Sequence, residues 1–143
     1  MKMNDYPNWL VPIKIAKKLK KIGFNTNTFF LYNEEDEPKV MFGLNTFEEV
    51  DGQSNLEIEQ LYLYQEADME SYECVLPTWE QAIEWFRNRG FYITLENHQD
   101  STKFMFYNMK INEGKHFKGE FSSYKETREV LVNKLIEVYG NNI

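Results

Sequence analysis

Residues 77–91 read PTWEQAIEWFRNRGF, and this stretch contains the clearest structural signals in the chain. Thr78 followed three residues later by Gln81 forms a capping box, in which each side chain bonds a backbone amide at the start of a helix. A helix is therefore predicted to begin at Trp79. Gly90 is placed to end it, because glycine readily adopts the left-handed conformation found after many helices.

The predicted helix is amphipathic, and one of its tryptophans is predicted to lie outside its apolar face. Its apolar residues at helical spacing would face a core. Trp85 is predicted to project off that buried stripe, beside Gln81 and Arg89, and so to be accessible to a partner. The stripe itself consists of Trp79, Ala82, Ile83 and Phe86.

A hairpin and a second capped helix are predicted downstream. Residues 91–96 and 103–111 are apolar-rich runs around a polar turn, which is typical of two paired strands. After a predicted loop over residues 112–120, Ser123 and Glu126 repeat the capping-box spacing and begin a final helix that ends near Gly140. Its predicted core stripe is Tyr124, Thr127, Leu131, Leu135 and Val138.

The first half of the chain carries a similar pattern. Pro12 and Gly23 bracket a short amphipathic helix with Ile15, Ala16, Leu19 and Ile22 on one side. Residues 28–44 are predicted to form a hairpin around an acidic turn at 33–38, residues 56–64 a third strand, and residues 65–73 an exposed acidic loop.

The predicted order is αββ(β)αββα. It indicates an α+β fold in which two hairpins build a mainly antiparallel sheet with helices packed on one face. With 143 residues the chain has the usual size of one domain, so a single α+β domain over residues 1–143 is expected. Both hairpins follow a helix and a Gly-Phe pair. This pattern fits either an internal duplication or the usual succession of helices, turns and strands in an α+β fold.

Composition limits the classes of protein to consider. The 42% hydrophobic and 16% aromatic content argues against disorder, and the 27% charged content leaves no long uncharged run for a membrane helix. Cys74 is the one cysteine, so no internal disulfide forms, which fits a reducing compartment. The start, MKMNDYPNW, lacks the apolar segment of a signal peptide. We expect a cytoplasmic protein without cofactor or membrane contact.

The net charge of −7 is unevenly distributed. Residues 1–24 hold six lysines against Asp5, a charge of +5, whereas residues 25–74 hold thirteen acids against Lys39, a charge of −12. Residues 75–143 hold nine of each sign. Such a separation affects the choice of partner more than the fold. An acidic chain is a poor nonspecific binder of DNA, although a local basic strip still offers contacts.

The sequence resembles a group of small uncharacterised proteins of bacterial phages and prophages. The resemblance lies in AKKLKKIGF at 16–24, PTWEQAIEWFR at 77–87 with its hairpin, and SYKETREVLVNKLIEVYG at 123–140. Thr127 and Val130 depart from it, because the closing helix of the group usually carries small residues there. The resemblance implies a phage accessory role in the cytoplasm of a bacterial host cell, such as anti-CRISPR or other anti-defence activity by binding a host protein. It implies no reaction and no catalytic residue.

Catalytic candidates are few. His98 lies in a predicted turn and His116 in a predicted loop, and neither belongs to a metal-ligand or nucleophile motif. Glu70 and Glu73 would raise the pKa of the Cys74 thiol, opposite to what a nucleophile needs. Glu57 and Glu59, with Asp36 or Glu96, would suit a magnesium ion, but two carboxylates on a strand are usually its solvated face.

Two charged surfaces are the candidate binding sites. The basic one is the lysine face of the first helix, which would contact a phosphate or an acidic protein or else be neutralised by the acidic middle zone. Its candidate residues are Lys14, Lys17, Lys18 and Lys21. The acidic surface, with its aromatic side chains, would occupy a cationic groove, because Tyr and Trp are frequent where interfaces concentrate their energy. Its candidate residues are Glu34, Glu35, Asp36, Glu37, Glu66, Asp68, Glu70, Tyr72 and Trp85.

These observations favour a non-enzymatic interaction protein that binds a host protein with a basic surface. A nucleoprotein defence complex, such as a CRISPR effector, would be one such target. Two alternatives stay open at this point: a nucleic-acid contact module that uses the lysine-rich helix, and a small metal-dependent hydrolase.

Overall fold

A computed structural model describes residues 6–35, 38–42, 45–46, 63–65 and 68–143, with the backbone alone at 45–46. The chain divides into two compact units, Met1–Thr78 and Trp79–Ile143. Each unit combines helix with antiparallel sheet, so the predicted α+β class and its antiparallel pairing are confirmed. The assignment of residues 1–143 to a single domain stays a prediction.

In the described part of the first unit, a helix packs against a four-stranded sheet. Its elements are α1 (Ile13–Lys21), β1 (Phe30–Asn33), β2 (Lys39–Phe42), β3 (Asn45–Thr46) and β4 (Glu73–Leu76). The strand order is β3-β2-β1-β4, with antiparallel neighbours throughout. The predicted helix and the first predicted hairpin are therefore present. Most of the predicted strand at 56–64 lies outside the described residues.

The second unit has two helices and a three-stranded sheet. Its elements are α2 (Trp79–Arg87), β5 (Tyr92–Asn97), β6 (Thr102–Tyr107), a 3-10 turn (Asn112–Gly114), β7 (Phe117–Phe121) and α3 (Tyr124–Gly140). The strand order is β5-β6-β7, all antiparallel. The alternate residues Thr102, Phe104 and Phe106 of β6 are buried, and α3 packs on β6 and β7.

The helix boundaries follow the local signals. α2 begins at Trp79, and the Ser123 side chain accepts a 3.1 Å hydrogen bond from the Glu126 amide at the start of α3. Of the stripe predicted for α3, four members are buried, whereas Tyr124 is exposed at the first turn.

The repeated Gly-Phe pairs have a local physical cause. After α1, Gly23 has a φ of +94°, and its amide and that of Phe24 bond the carbonyls of Lys20 and Leu19. After α2, Gly90 has a φ of +89°, and its amide and that of Phe91 bond the carbonyls of Arg87 and Phe86. Both helices thus end in a Schellman motif, which accounts for the similarity without a duplication.

Two strands were not predicted. Cys74, Val75 and Leu76 of β4 are buried where β4 pairs with β1. β7 begins within the predicted loop at 112–120 and replaces its last four residues. The close approach of the β7 backbone to a core ring requires glycine at the centre of the strand. A Cβ at Gly119 would overlap the ring of Phe104, which is itself buried and stacked on Phe106.

Gly119→Ala is expected to lower the free energy of unfolding by about 1–3 kcal/mol, because the buried Phe104 ring has no room to move aside. Urea unfolding followed by circular dichroism measures the change. The matched control is Phe104→Leu, which removes the overlapping ring atoms. The double variant should lose less than the sum of the two single losses, and strict additivity would contradict the steric explanation.

Candidate functional site

The pairing of β1 with β4 brings two acidic segments together. In this register Asn33 lies opposite Glu73, and the Glu34 amide donates a 3.1 Å hydrogen bond to the Tyr72 carbonyl beyond the strand ends. The chain therefore enters the predicted acidic turn beside the segment that precedes β4. We call the cluster formed by Glu34, Glu35, Glu70, Tyr72 and Glu73 the acidic end of the first unit.

Two lysines of α1 contact this cluster. The Lys17 ammonium lies 3.1 Å from a Glu34 carboxylate oxygen and 5.5 Å from the centre of the Tyr32 ring. The Lys20 ammonium donates to the backbone carbonyls of Glu70, at 3.3 Å, and Glu73. Lys17 thus neutralises part of the negative charge of the acidic end, and Lys20 holds the backbone that leads into β4.

The electrostatics of the acidic end follow from these contacts. The hydrogen bond to Glu34 raises the pKa of Lys17, so this lysine stays charged. Loss of solvation raises the pKa of the Tyr72 hydroxyl, and the charge and hydrogen bond of the Glu35 carboxylate raise it further. Tyr72 therefore remains a neutral phenol beside a carboxylate. A cleft of about 440 Å³ lies here, lined among others by Lys17, Lys21 and Tyr72.

Two carboxylates of the acidic end keep their charge available to a partner. Glu35 and Glu70 are exposed, and within the described part of the chain neither forms an ion pair with a lysine or arginine. The Glu35 backbone is fixed by a 2.8 Å hydrogen bond from its amide to the Asn33 side chain. The Glu70 amide donates to the Glu73 carboxylate at 3.1 Å.

The remaining predicted site residues have different positions. Asp68 is exposed, and its amide donates a hydrogen bond to the Gln65 carbonyl. The exposed lysines Lys14 and Lys18 are on α1, as is Lys21 at the cleft. Three predicted acidic contacts, Asp36, Glu37 and Glu66, lie outside the described residues.

The prediction that Trp85 lies off the buried side of its helix is wrong. Its side chain is 3% exposed. It meets the rings of Phe86 and Tyr139 edge to face, with centres 5.1 and 5.3 Å away, and the Arg89 guanidinium lies 3.5 Å from its ring centre. α3 covers this side of α2, so α2 has a second buried side that its own periodicity does not show. Trp85 is therefore a core residue.

The catalytic candidates do not converge. His98 lies 3.3 Å from Glu96, and the His116 ring lies 4.6 Å from that of Tyr107, both in exposed positions. Cys74 is buried. In the ranges that the structure describes, no group of three or more His, Cys, Asp or Glu side chains is placed to hold a metal ion. Glu57 and Glu59 fall outside those ranges.

Sequence reasoning missed the roles of Lys20 and Glu73. Both roles depend on the position of β4. The apolar run Cys-Val-Leu was the pattern in the sequence that could have indicated this strand.

Comparison with family models, curated proteins and solved structures gives no significant match. The resemblance to phage proteins therefore stays a prediction. Among the described helices, none is long and apolar enough to cross a membrane.

Trp85→Ala is expected to lower the free energy of unfolding by about 3–5 kcal/mol, the usual loss for a large aromatic side chain removed from a core. Chemical denaturation measures it. Tyr92→Ala is the matched control, because Tyr92 is 60% exposed. Equal losses in the two variants would contradict the assignment of Trp85 to the core.

Glu35→Gln is expected to lower the pKa of Tyr72, because the variant removes the negative charge that disfavours the tyrosinate. Carbon NMR of ring-labelled tyrosine across a pH titration follows this group separately from the other tyrosines. Glu129→Gln, on the exposed surface of α3, should leave the Tyr72 titration unchanged. An unchanged titration in Glu35→Gln would show that Glu35 does not contact the hydroxyl.

Proposed function

We propose that the chain is a non-enzymatic interaction protein whose acidic end binds a basic surface of another protein. The observation that carries this proposal is the position of two exposed carboxylates, Glu35 and Glu70, around the half-buried Tyr72. Among the described residues neither carboxylate forms an ion pair with a lysine or arginine. A tyrosine flanked by charge offers a partner both apolar contact area and a hydrogen-bonding group. Carboxylates without an internal cation are available to steer a basic partner into contact.

The hydrogen bonds within the acidic end support a surface that is already formed before a partner binds. Both acidic segments are fixed by backbone hydrogen bonds, one through the Glu34 amide and one through Lys20. A surface held in this way loses little conformational freedom on binding, which favours affinity.

The partner in this proposal is a host protein that handles nucleic acid, because such a protein carries a cationic groove. The resemblance noted above adds a phage accessory role directed at a defence complex, with a CRISPR effector as its most specific form. The nucleic-acid alternative has less support, since Lys17 and Lys20 of the basic helix are engaged by the acidic end.

The test is affinity capture from bacterial extract with the full chain as bait, after nuclease treatment, with mass spectrometry of the bound proteins. Glu35→Gln/Glu70→Gln should reduce binding of the captured partner about tenfold, as expected when two interface charges are removed. Binding by the unmodified chain should also weaken with added salt.

The matched control is Glu129→Gln/Glu137→Gln, which changes the net charge by the same amount on the exposed surface of α3. It should bind the partner as the unmodified chain does. Equal losses in both double variants would show that only net charge matters, and capture that disappears with nuclease would favour the nucleic-acid alternative.

A further inference from the structure

The second unit ends its sheet in an open strand edge. The hairpin of β5 and β6 closes with a 2.8 Å hydrogen bond from the His98 amide to the Ser101 carbonyl. Paired residues of antiparallel strands alternate between hydrogen-bonded and non-hydrogen-bonded pairs. Counting along the register from this turn, Phe104 and Phe106 form non-hydrogen-bonded pairs with β5, so their backbone N–H and C=O groups point toward β7. Their partners on β7 are Gly119 and Phe117.

The backbone groups of Lys118 and Glu120 must then face away from the sheet. In the described part of the chain the backbone groups of these two residues make no hydrogen bond to another backbone group outside the sheet ladder. The opposite edge is different, because the Arg87 guanidinium donates to the outward carbonyl of Ile93 on β5 at 3.3 Å. β7 therefore offers an unblocked pair of donors and acceptors to another strand, whereas one outward carbonyl of β5 is already occupied.

The charges along this edge are self-complementary. Lys118 and Glu120 are exposed, are of opposite sign and flank Gly119 symmetrically. If two copies of β7 pair antiparallel about Gly119, the Lys118 of each copy faces the Glu120 of the other, and these are the positions whose backbone groups point outward. Two like charges would have repelled a second copy, whereas opposite charges directly across two strands are stabilising.

We propose that the protein forms a two-fold symmetric dimer by antiparallel pairing of β7 with β7 of a second copy. The dimer joins two three-stranded sheets into one of six strands, with four backbone hydrogen bonds and two cross-strand ion pairs at the junction. Phe117 of one copy lies opposite Phe121 of the other. Such an interface is isologous, so it closes at two copies. Because a five-residue strand buries little surface, the dimer is weak and depends on concentration.

Sedimentation velocity of the full chain between about 1 and 500 µM protomer tests the proposal, since the dimer fraction must rise with concentration. Lys118→Glu places glutamates opposite each other, and Glu120→Lys places lysines opposite each other. Each variant should raise the dimer dissociation constant about tenfold. Loss of the exposed Lys103–Glu120 pair, at 3.3 Å, has little effect on folding, which the thermal midpoint checks.

Two recovery experiments separate pairing from net charge. An equimolar mixture of Lys118→Glu and Glu120→Lys should associate as the unmodified chain does, because each copy then supplies the charge that the other needs. The double variant Lys118→Glu/Glu120→Lys should also recover, because its reversed pattern is again self-complementary. Lys110→Glu, at an exposed position off the strand, is the charge control and should dimerise normally.

The proposal is overturned if the unmodified chain stays monomeric throughout this range, or if the mixture and the double variant do not recover. It is also overturned if dimers form with equal affinity in all variants, since the interface would then lie elsewhere. These outcomes do not depend on the acidic end, because Glu35→Gln/Glu70→Gln leaves β7 unchanged.

Discussion

The pairing of β1 with β4 is the constraint on which the rest of the first unit depends. These strands are far apart in sequence, and their register determines which acidic side chains become neighbours. It places Glu34 beside Tyr72 and lets α1 reach both segments through Lys17 and Lys20. Without it, the lysine-rich helix and the acidic zone would be two separate features of the sequence.

The two units differ in how their charged side chains are arranged. In the first unit the lysines neutralise only part of a larger acidic cluster, so negative charge remains at Glu35 and Glu70 beside a tyrosine. In the second unit the two signs alternate along an open strand. An unbalanced cluster suits a basic partner of another kind, whereas an alternating and symmetric pattern suits a second copy of the same chain. The two proposals therefore concern different surfaces and different partners.

Local signals in the sequence predicted helix ends well and long-range contacts poorly. Trp79 and Ser123 begin helices as expected because capping depends on residues within one turn. β4 and β7 were not expected as strands, because short strands gain their stability from neighbours that are distant in sequence. The prediction for Trp85 was wrong for the same reason, because α3, the helix that covers it, follows the three-stranded sheet in the sequence. Within the site, the segregation of charge was predictable, but the contacts of Lys17 and Lys20 required the β1–β4 register.

That register is tested most directly by proton NMR of the unmodified chain. Because the Glu34 amide bonds the Tyr72 carbonyl, the pairs Asn33–Glu73 and Leu31–Val75 must be non-bonded pairs, whose Cα protons approach closely. The account predicts strong Cα-proton cross-peaks for both pairs. Their absence, with the expected cross-peaks present between β5 and β6 in the same spectrum, would contradict it.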